Sequence, residues 1–285
     1  MKINLVSDLF VNDYQGGAEL TTESLFEDRK DLNVERIYSH NLTDELVKTK
    51  LKEKWIFGNY SKVSDLVLFY FAKNKLDYSV IEYDYKFCSH RSSTLHEIST
   101  KETCECHKTS HGKIVSLFLK NSKNCFWMSE KQLEIHQNKF PHILKGNNHI
   151  LSSVFSKRNL NYIKELKKYT KKENNNYMIL NSNSPVKNVN GCVNFAKKEN
   201  LSYELVGNIP YFKFLRKLSS MKGLIFKPIS EDTCPRLVIE ASLLGCDVKY
   251  NSFVQHKDED WTQSEQKILN YLQTRSDFFW EKVKI

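Results

Sequence analysis

Short apolar runs alternate with segments of helical periodicity along almost the whole chain, and this alternation constrains the fold more than any other feature. Neighbouring parallel strands need a crossover connection, usually a helix, so a parallel sheet produces this alternation. We therefore predict an α/β protein with parallel sheets. In the first half, the predicted strands are 2–6, 34–37, 66–70, 79–82 and 124–128, and the predicted helices are 18–27, 112–121 and 130–138. In the second half, the predicted strands are 177–180, 203–206, 223–226 and 247–250, and the predicted helices are 188–199, 211–220 and 235–244.

The length of 285 residues suits two domains, each of which could bury a core of its own. Gly146, Asn147 and Asn148 interrupt the alternation, and the boundary is predicted there. The first domain is predicted to cover 1–148 and the second 149–262. A last segment, about 263–285, has the apolar spacing of a helix.

Composition indicates a folded protein, because 40% of the residues are hydrophobic and 12% are aromatic. No apolar run reaches the length of a membrane span, and the N-terminus begins with a strand pattern instead of a signal segment, which predicts a cytoplasmic protein. The seven cysteines are expected to be reduced. The net charge of +9 is spread among acids, as on a solvated surface; the alternative is attraction to a polyanion such as nucleic acid, an acidic lipid surface or a phosphorylated acceptor.

One segment, residues 231–245, indicates function more directly than the rest of the chain. It predicts a loop followed by a short helix, with Pro235 in the first turn and Gly245 at the end. Glu240 lies on an apolar face of that helix, and Asp232 lies in the loop ahead of it. The free N–H groups at the start of a helix favour an anion such as a diphosphate. Two acids beside an anion site fit a pocket for a nucleotide sugar.

The same segment resembles the Glu-x7-Glu motif of retaining GT-B glycosyltransferases of the large family-four group. Residues 240–245, Glu-Ala-Ser-Leu-Leu-Gly, match the second half of the motif, and Asp232 stands where the first glutamate is usual. The resemblance implies that Asp232 binds the donor sugar and Glu240 the ribose. It also implies that the distal phosphate is bound by the loop Thr233, Cys234, Pro235 and Arg236.

Two further motifs carry the resemblance. Gly16-Gly17-Ala18-Glu19 follows the first strand, as the N-terminal Gly-Gly-x-Glu of the family does. Residues 181–187 follow a strand where the family has Gly-Arg-x-x-x-x-Lys-Gly, so Lys187 would pair with the diphosphate. Ser182 replaces the arginine of the family, and Arg236 could take over its role. The resemblance also implies donor contacts for Gly16, Gly17, Ser182, Asn183 and, near the base, Asn208; an ordinary strand-to-helix turn is the alternative at Asn208.

For the whole protein, the resemblance implies a GT-B fold: two Rossmann-like domains whose parallel sheets face each other across a cleft. The first domain would bind the acceptor and the second the donor, and the C-terminal helix could pack back on the first domain. The activity implied is that of a hexosyltransferase-type enzyme that uses a UDP- or GDP-linked sugar, retains configuration, and needs neither metal nor cofactor. The acceptor (a glycan, a lipid-linked molecule or a small molecule) is not specified.

Polar residues directly after the predicted strand 79–82 are acceptor-side candidates, because open α/β sheets bind ligands beyond the carboxyl ends of their strands. They are Asp84, His90 and Arg91, with Glu19 added from the N-terminal motif. The alternative is an aspartate that caps a turn beside a surface His-Arg pair. The predicted catalytic set is Asp232, Lys187, Arg236, Asp84 and His90.

Cys104, Cys106 and His107, with Cys88 nearby in sequence, are the residue types of a zinc site. Their spacing is irregular, so we interpret them as a loop with reduced thiols and keep a structural zinc ion as the alternative.

Two other functions stay open. The replacements at Asp232 and Ser182 would also suit a catalytically degenerate GT-B protein that binds a nucleotide or a glycan. The net charge would also suit a glycosyltransferase that acts on modified DNA. We favour neither, since the sequence has no evident stacking platform or recognition helix.

Overall fold

The computed structural model describes residues 2–172 and 175–284, which form two parallel sheets with helices between the strands. The strands are β1 Lys2–Ser7, β2 Asn33–Tyr38, β3 Lys54–Phe57, β4 Tyr78–Glu82, β5 Asn124–Trp127, β6 Asn148–Ile150, β7 Tyr177–Leu180, β8 Tyr203–Val206, β9 Gly223–Phe226 and β10 Asp247–Tyr250. The helices are α1 Gly17–Glu27, α2 Asp44–Thr49, α3 Asp65–Asn74, α4 Ser93–Thr100, α5 Ser110–Asn121, α6 Glu130–Lys139, α7 Lys157–Tyr169, α8 Val189–Lys198, α9 Tyr211–Ser220, α10 Arg236–Leu243 and α11 Glu265–Val283.

The chain divides into two compact units. The first contains Met1–Val154 together with Arg275–Ile285, and the second contains Phe155–Thr274. Among the described residues, none of the helices has both the length and the apolar character needed to cross a membrane.

The first unit is built on a sheet with the strand order β2-β1-β3-β4-β5-β6, in which every pair of neighbours is parallel. All five residues of β4 are buried, as expected for a central strand covered by helices on both faces. Aromatic rings fill the space between the sheet and its helices. Phe57 of β3, for example, lies 5.0 Å from both Phe71 of α3 and Phe118 of α5, with the rings edge to face.

The second unit is built on a smaller parallel sheet with the order β10-β9-β7-β8. Helix α10 follows β9, and its end is set by Gly245, whose φ of +68° is a left-handed conformation that favours glycine. The predicted strands of this unit are confirmed, and the predicted helix 211–220 coincides with α9. Helices α8 and α10 begin and end within one residue of their predicted bounds.

The last helix, α11, begins in the second unit and ends in the first. Its final turns pack on the first unit: the Phe279 ring lies 4.5 Å from that of Phe126, and the indole N–H of Trp280 donates to the Leu25 carbonyl at 2.8 Å. Lys54 also donates to the carbonyl of Val283, at 2.9 Å.

The predicted strand over 66–70 is wrong, because these residues form the middle of α3. The run Leu-Val-Leu-Phe-Tyr is short, and periodicity alone cannot separate a short buried helix from a strand. The capping residue supplies the missing signal: Ser64 accepts a hydrogen bond from the N–H of Val67, with Asp65 in the first turn. The strand of this region is β3, which precedes this run and which the prediction omitted along with β6, α2 and α4.

Candidate active site

In the second sheet, the chain changes direction at β7. It crosses from β7 to β8 on one side and then to β9 on the other side of β7. The loops that follow two such strands diverge, and α/β proteins bind ligands in the crevice that this leaves at the carboxyl edge. Lys187 lies in the connection after β7 and Asp232 in the connection after β9, so the topology brings both to this edge.

Lys187 and Asp232 form an ion pair there. Lys187 Nζ lies 2.5 Å from Asp232 Oδ2, although the residues are 45 positions apart in the sequence. The two side chains are 27% and 13% exposed, so that a ligand can reach both. An ammonium group beside a carboxylate can donate to a negatively charged group and accept from hydroxyl groups of the same ligand.

The neighbouring Asn188 fixes the position of Lys187. A short 3-10 helix, Pro185–Lys187, ends at Asn188, whose φ of 50° is left-handed, a conformation that asparagine adopts more readily than most residues. The Asn188 side chain accepts from the N–H of Gly191 at 3.2 Å and donates to the carbonyl of Lys227 at 2.9 Å. The turn that carries Lys187 is thereby bound both to α8 and to the loop after β9.

Two backbone hydrogen bonds fix the position of Asp232. Its N–H donates to the carbonyl of Phe253 at 2.9 Å, and its carbonyl accepts from the N–H of Gln255 at 3.0 Å. The adjacent His256 is buried, and burial lowers its pKa to about 4. The charge of Asp232 acts in the opposite direction, but its effect is the smaller one. The imidazole is therefore neutral at pH 7, and the negative charge of Asp232 is balanced by Lys187.

Glu240 is buried in α10, with only 3% of its surface exposed. Its Oε1 accepts from the hydroxyl of Tyr211 at 2.8 Å and from Nε of Arg236 at 3.1 Å. Burial raises the pKa of Glu240, while the charge of Arg236 and the two hydrogen bonds act in the opposite direction. Because both donors bind Oε1, the carboxylate is oriented with Oε2 as its other acceptor atom.

Arg236 is part of the same buried network, which changes its predicted role. Its side chain is 3% exposed, and Nη2 donates to Asn159 Oδ1 and to the Tyr211 hydroxyl, each at 3.1 Å. The guanidinium also lies 3.7 Å from the centroid of the Phe155 ring, as in a cation–π contact. The donors of Arg236 that make these contacts hold the Glu240 carboxylate and the Tyr211 hydroxyl in place.

The loop between Asp232 and α10 is also buried. Thr233 and Cys234 are each 6% exposed, and Pro235 is the residue directly ahead of α10, which starts at Arg236. The carbonyl of Pro235 accepts from the N–H of Val238 at 3.1 Å, closing the first turn.

The remaining donor-side candidates follow β7 and β8. Gly207 touches the loop after β7 so closely that a Cβ atom would lie 2.2 Å from the carbonyl oxygen of Asn181. Ser182 accepts from the N–H of Ser184 at 3.2 Å, and Asn183 is exposed. Asn208 is exposed too and has a left-handed φ of 56°. The close approach at Gly207 thus joins two loops that carry predicted donor contacts.

A second polar cluster lies at the carboxyl edge of the first sheet. Arg91 donates from Nε to Asp84 Oδ2 at 2.7 Å and from Nη2 to Asn59 Oδ1 at 2.8 Å. Burial alone would raise the pKa of Asp84, but the charges of Lys86 and Arg91 hold it below its usual value. Asp84 is therefore ionised at neutral pH, and it pairs with Arg91, another of the acceptor-side candidates.

Glu19 joins this cluster through Asn59. It lies in the first turn of α1, 7% exposed, and hydrogen-bonds the Asn59 side chain. Burial raises its pKa, and the charge of Arg91 opposes the rise. Gly16 is the residue directly ahead of α1, where a Cβ atom would lie 2.6 Å from Glu19 Oε2, and Gly17 is the first residue of the helix.

His90 is placed differently from its predicted partners Asp84 and Arg91. Its ring lies 4.9 Å from the ring of His96, and its Nδ1 lies 3.2 Å from the hydroxyl of Ser89. The cysteines predicted as a zinc alternative also converge with His96, whereas His107 packs 6.1 Å from the Phe140 ring.

Several residues of the two clusters were missed at the sequence level: Asp8, Asn59 and Lys86 in the first unit, and Tyr211 and His256 in the second. Asp8 follows β1 directly and accepts from the N–H groups of Ser61 and Lys62, each at 3.2 Å. The rule that selected Asp84 would have selected Asp8 as well, because both are polar residues just beyond a strand. Tyr211 carries no such signal, since it reaches Glu240 only through the tertiary fold.

Comparison with known proteins places this arrangement in a fold group. A scan of protein-family models finds no match to the sequence, and a search of curated proteins finds none. Among solved structures, Anabaena Alr3699/HepE in complex with UDP-glucose is similar over 99% of this chain and 92% of its own, with a TM-score of 0.56 at 13% identity.

Two further solved structures are similar to this chain over almost its whole length. AviGT4, a glycosyltransferase involved in avilamycin A biosynthesis, has a TM-score of 0.51 at 9% identity over 100% of this chain and 97% of its own. An alpha-glucosyltransferase in complex with UDP-glucose and DNA containing an abasic site has a TM-score of 0.51 at 8% identity over 99% of this chain and 92% of its own. At such identities the likeness concerns the fold. With a parallel, helix-connected sheet in each of its two units, the chain has the GT-B fold.

Proposed function

We propose that this protein is a glycosyltransferase that moves a sugar from a nucleotide diphosphate sugar to an acceptor hydroxyl, with retention of configuration. The observation that carries the proposal is the ion pair of Lys187 and Asp232 at the switch point of the second sheet, followed by the oriented carboxylate of Glu240 on α10. Both parts follow the order of the donor motif, with Asp232 in place of its first glutamate. The solved structures of similar fold support it, since Alr3699/HepE was crystallised with UDP-glucose and AviGT4 is described as a glycosyltransferase.

Glu240 binds the ribose in this proposal. Tyr211 and Arg236 hold its Oε1, so the carboxylate cannot rotate freely and Oε2 accepts from the ribose diol. Arg236 also places a positive charge beside the buried carboxylate, and this charge opposes the rise in the Glu240 pKa that burial causes.

When the donor binds, the ion pair between Lys187 and Asp232 breaks, and each side chain contacts the donor instead. The ammonium group turns to the diphosphate, and the carboxylate accepts from hydroxyls of the sugar. The backbone N–H groups of the loop between Thr233 and Arg236 serve the distal phosphate. This arrangement needs little acid–base chemistry, because the leaving diphosphate takes the proton of the incoming hydroxyl on the same face while Lys187 balances its charge.

The acceptor is bound by the first unit in this proposal. Asp84, Arg91 and Glu19 present carboxylates and a guanidinium at the carboxyl edge of its sheet, tied together by Asn59. Such groups bind hydroxyls, as a sugar or another polyol would offer.

Two substitutions test the donor site with calorimetry, using uridine and UDP, and guanosine and GDP. Glu240→Gln should weaken the binding of nucleoside and nucleotide alike by about tenfold to a hundredfold, as expected for a charge-assisted hydrogen bond of about 1.5–3 kcal/mol. Lys187→Ala should weaken the diphosphate by a similar factor and leave the nucleoside unchanged, because only the phosphates contact the ammonium group.

The ion pair of Lys217 and Glu204 offers matched controls, since both residues are half-exposed and lie in the same unit. Glu204→Gln and Lys217→Ala should leave both affinities unchanged. Equal affinities in wild type and Glu240→Gln would remove the ribose role.

Release of free sugar from a panel of nucleotide sugars by the wild type separates an enzyme from a degenerate binding protein, and analysis of the anomer formed tests retention.

Modified DNA is a second candidate acceptor. The net charge of +9 and the solved structure of similar fold that contains DNA favour it. Retention on a DNA column that falls steeply with salt, together with transfer to hydroxymethylated bases, would support this acceptor. Passage through the column at low salt would exclude it.

A further inference from the structure

Three cysteines and a histidine converge in the first unit, away from the clusters described above. They are Cys88 in the loop after β4, His96 on α4, Cys104 in the next loop, and Cys106 at the start of a 3-10 helix, Cys106–Lys108. One ligand atom from each side chain, Sγ or an imidazole nitrogen, lies within 4.8 Å of all the others. Thiolate and imidazole together are the preferred ligands of zinc.

The distances between these atoms match those around a tetrahedral zinc ion. Zn–S bonds of about 2.3 Å and Zn–N bonds of about 2.0–2.1 Å set neighbouring sulfurs about 3.8 Å apart, and sulfur and nitrogen about 3.5 Å apart. Cys88 Sγ and Cys104 Sγ are separated by 3.7 Å. His96 Nδ1 lies 3.7 Å from Cys88 Sγ and 3.5 Å from Cys106 Sγ. Three of the six distances thus match those of a coordination tetrahedron, and all four atoms lie within 4.8 Å of one another.

The surroundings of the sulfurs suit a metal-bound thiolate. Cys88 and Cys104 are 1% and 2% exposed, so the site is closed to solvent on their side. The backbone N–H of His90 hydrogen-bonds the Cys88 sulfur, and backbone donors of this kind stabilise thiolates that bind a metal.

The helix that carries His96 has no buried face. Helix α4 has no buried residue along its length, and Ile98 of that helix is 39% exposed. A helix of eight residues without a buried face gains little from packing, and so short a helix is marginal by itself in water. A disulfide between Cys88 and Cys104 would involve two of the four residues, and it would not explain why Cys106 and His96 lie beside them. A metal ion uses all four.

We propose that Cys88, His96, Cys104 and Cys106 bind one zinc ion and that this ion fixes the segment between β4 and α5. Three sulfurs and one nitrogen complete a tetrahedron, so the site is structural and keeps no open position for a substrate. The fixed segment begins with the loop that holds Arg91, whose backbone N–H donates to the Cys88 carbonyl at 2.8 Å. The thiol loop expected from the sequence is thereby replaced by a metal site, with His96 in the place considered for His107.

The metal content of the untagged wild-type protein, purified under reducing conditions from zinc-supplemented cells, tests the proposal. Mass spectrometry of the elements should find about one zinc ion per chain. Cobalt(II) exchanged into the site should give the intense visible absorption of a tetrahedral site together with thiolate-to-metal charge transfer.

Single substitutions identify the ligands. Cys106→Ser and His96→Gln should weaken zinc binding by tenfold or more, because each removes a metal ligand. The matched controls Cys246→Ser, in the second unit, and His107→Gln, next to Cys106 in sequence, should keep the full metal content. Native mass spectrometry and circular dichroism verify that each variant is folded.

Wild-type protein with fully reduced thiols that takes up neither zinc nor cobalt would overturn the proposal, and so would a disulfide between Cys88 and Cys104. Loss of metal in His107→Gln with retention in His96→Gln would overturn the ligand assignment. Because the wild-type measurement does not depend on any variant, a variant that fails to fold leaves the test intact.

Discussion

Arg236 and Glu240 lie one helical turn apart on α10, and both are almost completely buried. The sequence discloses their spacing and the apolar face of the helix, but it cannot disclose Tyr211 and Asn159, which reach the pair from other helices. For this reason the donor motif was predicted at Asp232 and Glu240, while the burial of Arg236 was not. His96 illustrates the same limit, because the turn of α4 rather than distance along the chain decides which histidine meets the cysteines.

At the residue scale, Arg236→Met should destabilise the protein by about 3–5 kcal/mol, since it leaves the Glu240 carboxylate buried without its cation. Urea unfolding checks this value. Arg216→Met, an exposed position on α9, is the control and should change the stability by less than about 0.5 kcal/mol. The double variant Arg236→Met/Glu240→Gln should be more stable than the sum of the two single changes predicts, because it removes both charges. Strict additivity would show that the pair is not coupled.

At the element scale, the second sheet was predicted closely, because its strands are short and are bounded by polar or turn-forming residues. The first sheet was predicted less well. There an apolar run of five residues proved to be the middle of α3, and the strand β3 was missed although Trp55, Ile56 and Phe57 are fully buried. Short apolar runs carry no period of their own, and the capping serine was the information that decided the case.

The end of α11 offers a test at this scale. Phe279 is fully buried against Phe126, so Phe279→Ala should cost about 3–5 kcal/mol through lost burial and a cavity. Phe278, its neighbour, is only partly buried, and Phe278→Ala should cost clearly less. Thermal unfolding of both variants measures the difference. Equal losses would show that the last turns of α11 are held by something other than this contact.

At the scale of the whole molecule, function is expected to be divided between units that each have a sheet and a core of their own. Saturating the protein with the preferred nucleoside diphosphate, at about 100 times its Kd, should raise the free energy of unfolding of the unit that binds it by about 2.7 kcal/mol. Hydrogen exchange should show the strongest protection in residues 181–187 and 232–240. Protection confined to the first unit would contradict the assignment of the donor site.

The ion pair between Lys187 and Asp232 has a consequence for turnover. Each side chain satisfies the other, so a ligand gains little unless it replaces both partners at once. In the proposed function, an intact sugar donor offers a phosphate to the lysine and hydroxyls to the aspartate. The nucleotide that remains after transfer offers only the phosphate and leaves a carboxylate in need of a cation. We expect the nucleotide product to dissociate as Lys187 and Asp232 form their ion pair again. Product release would then be coupled to the return of this contact.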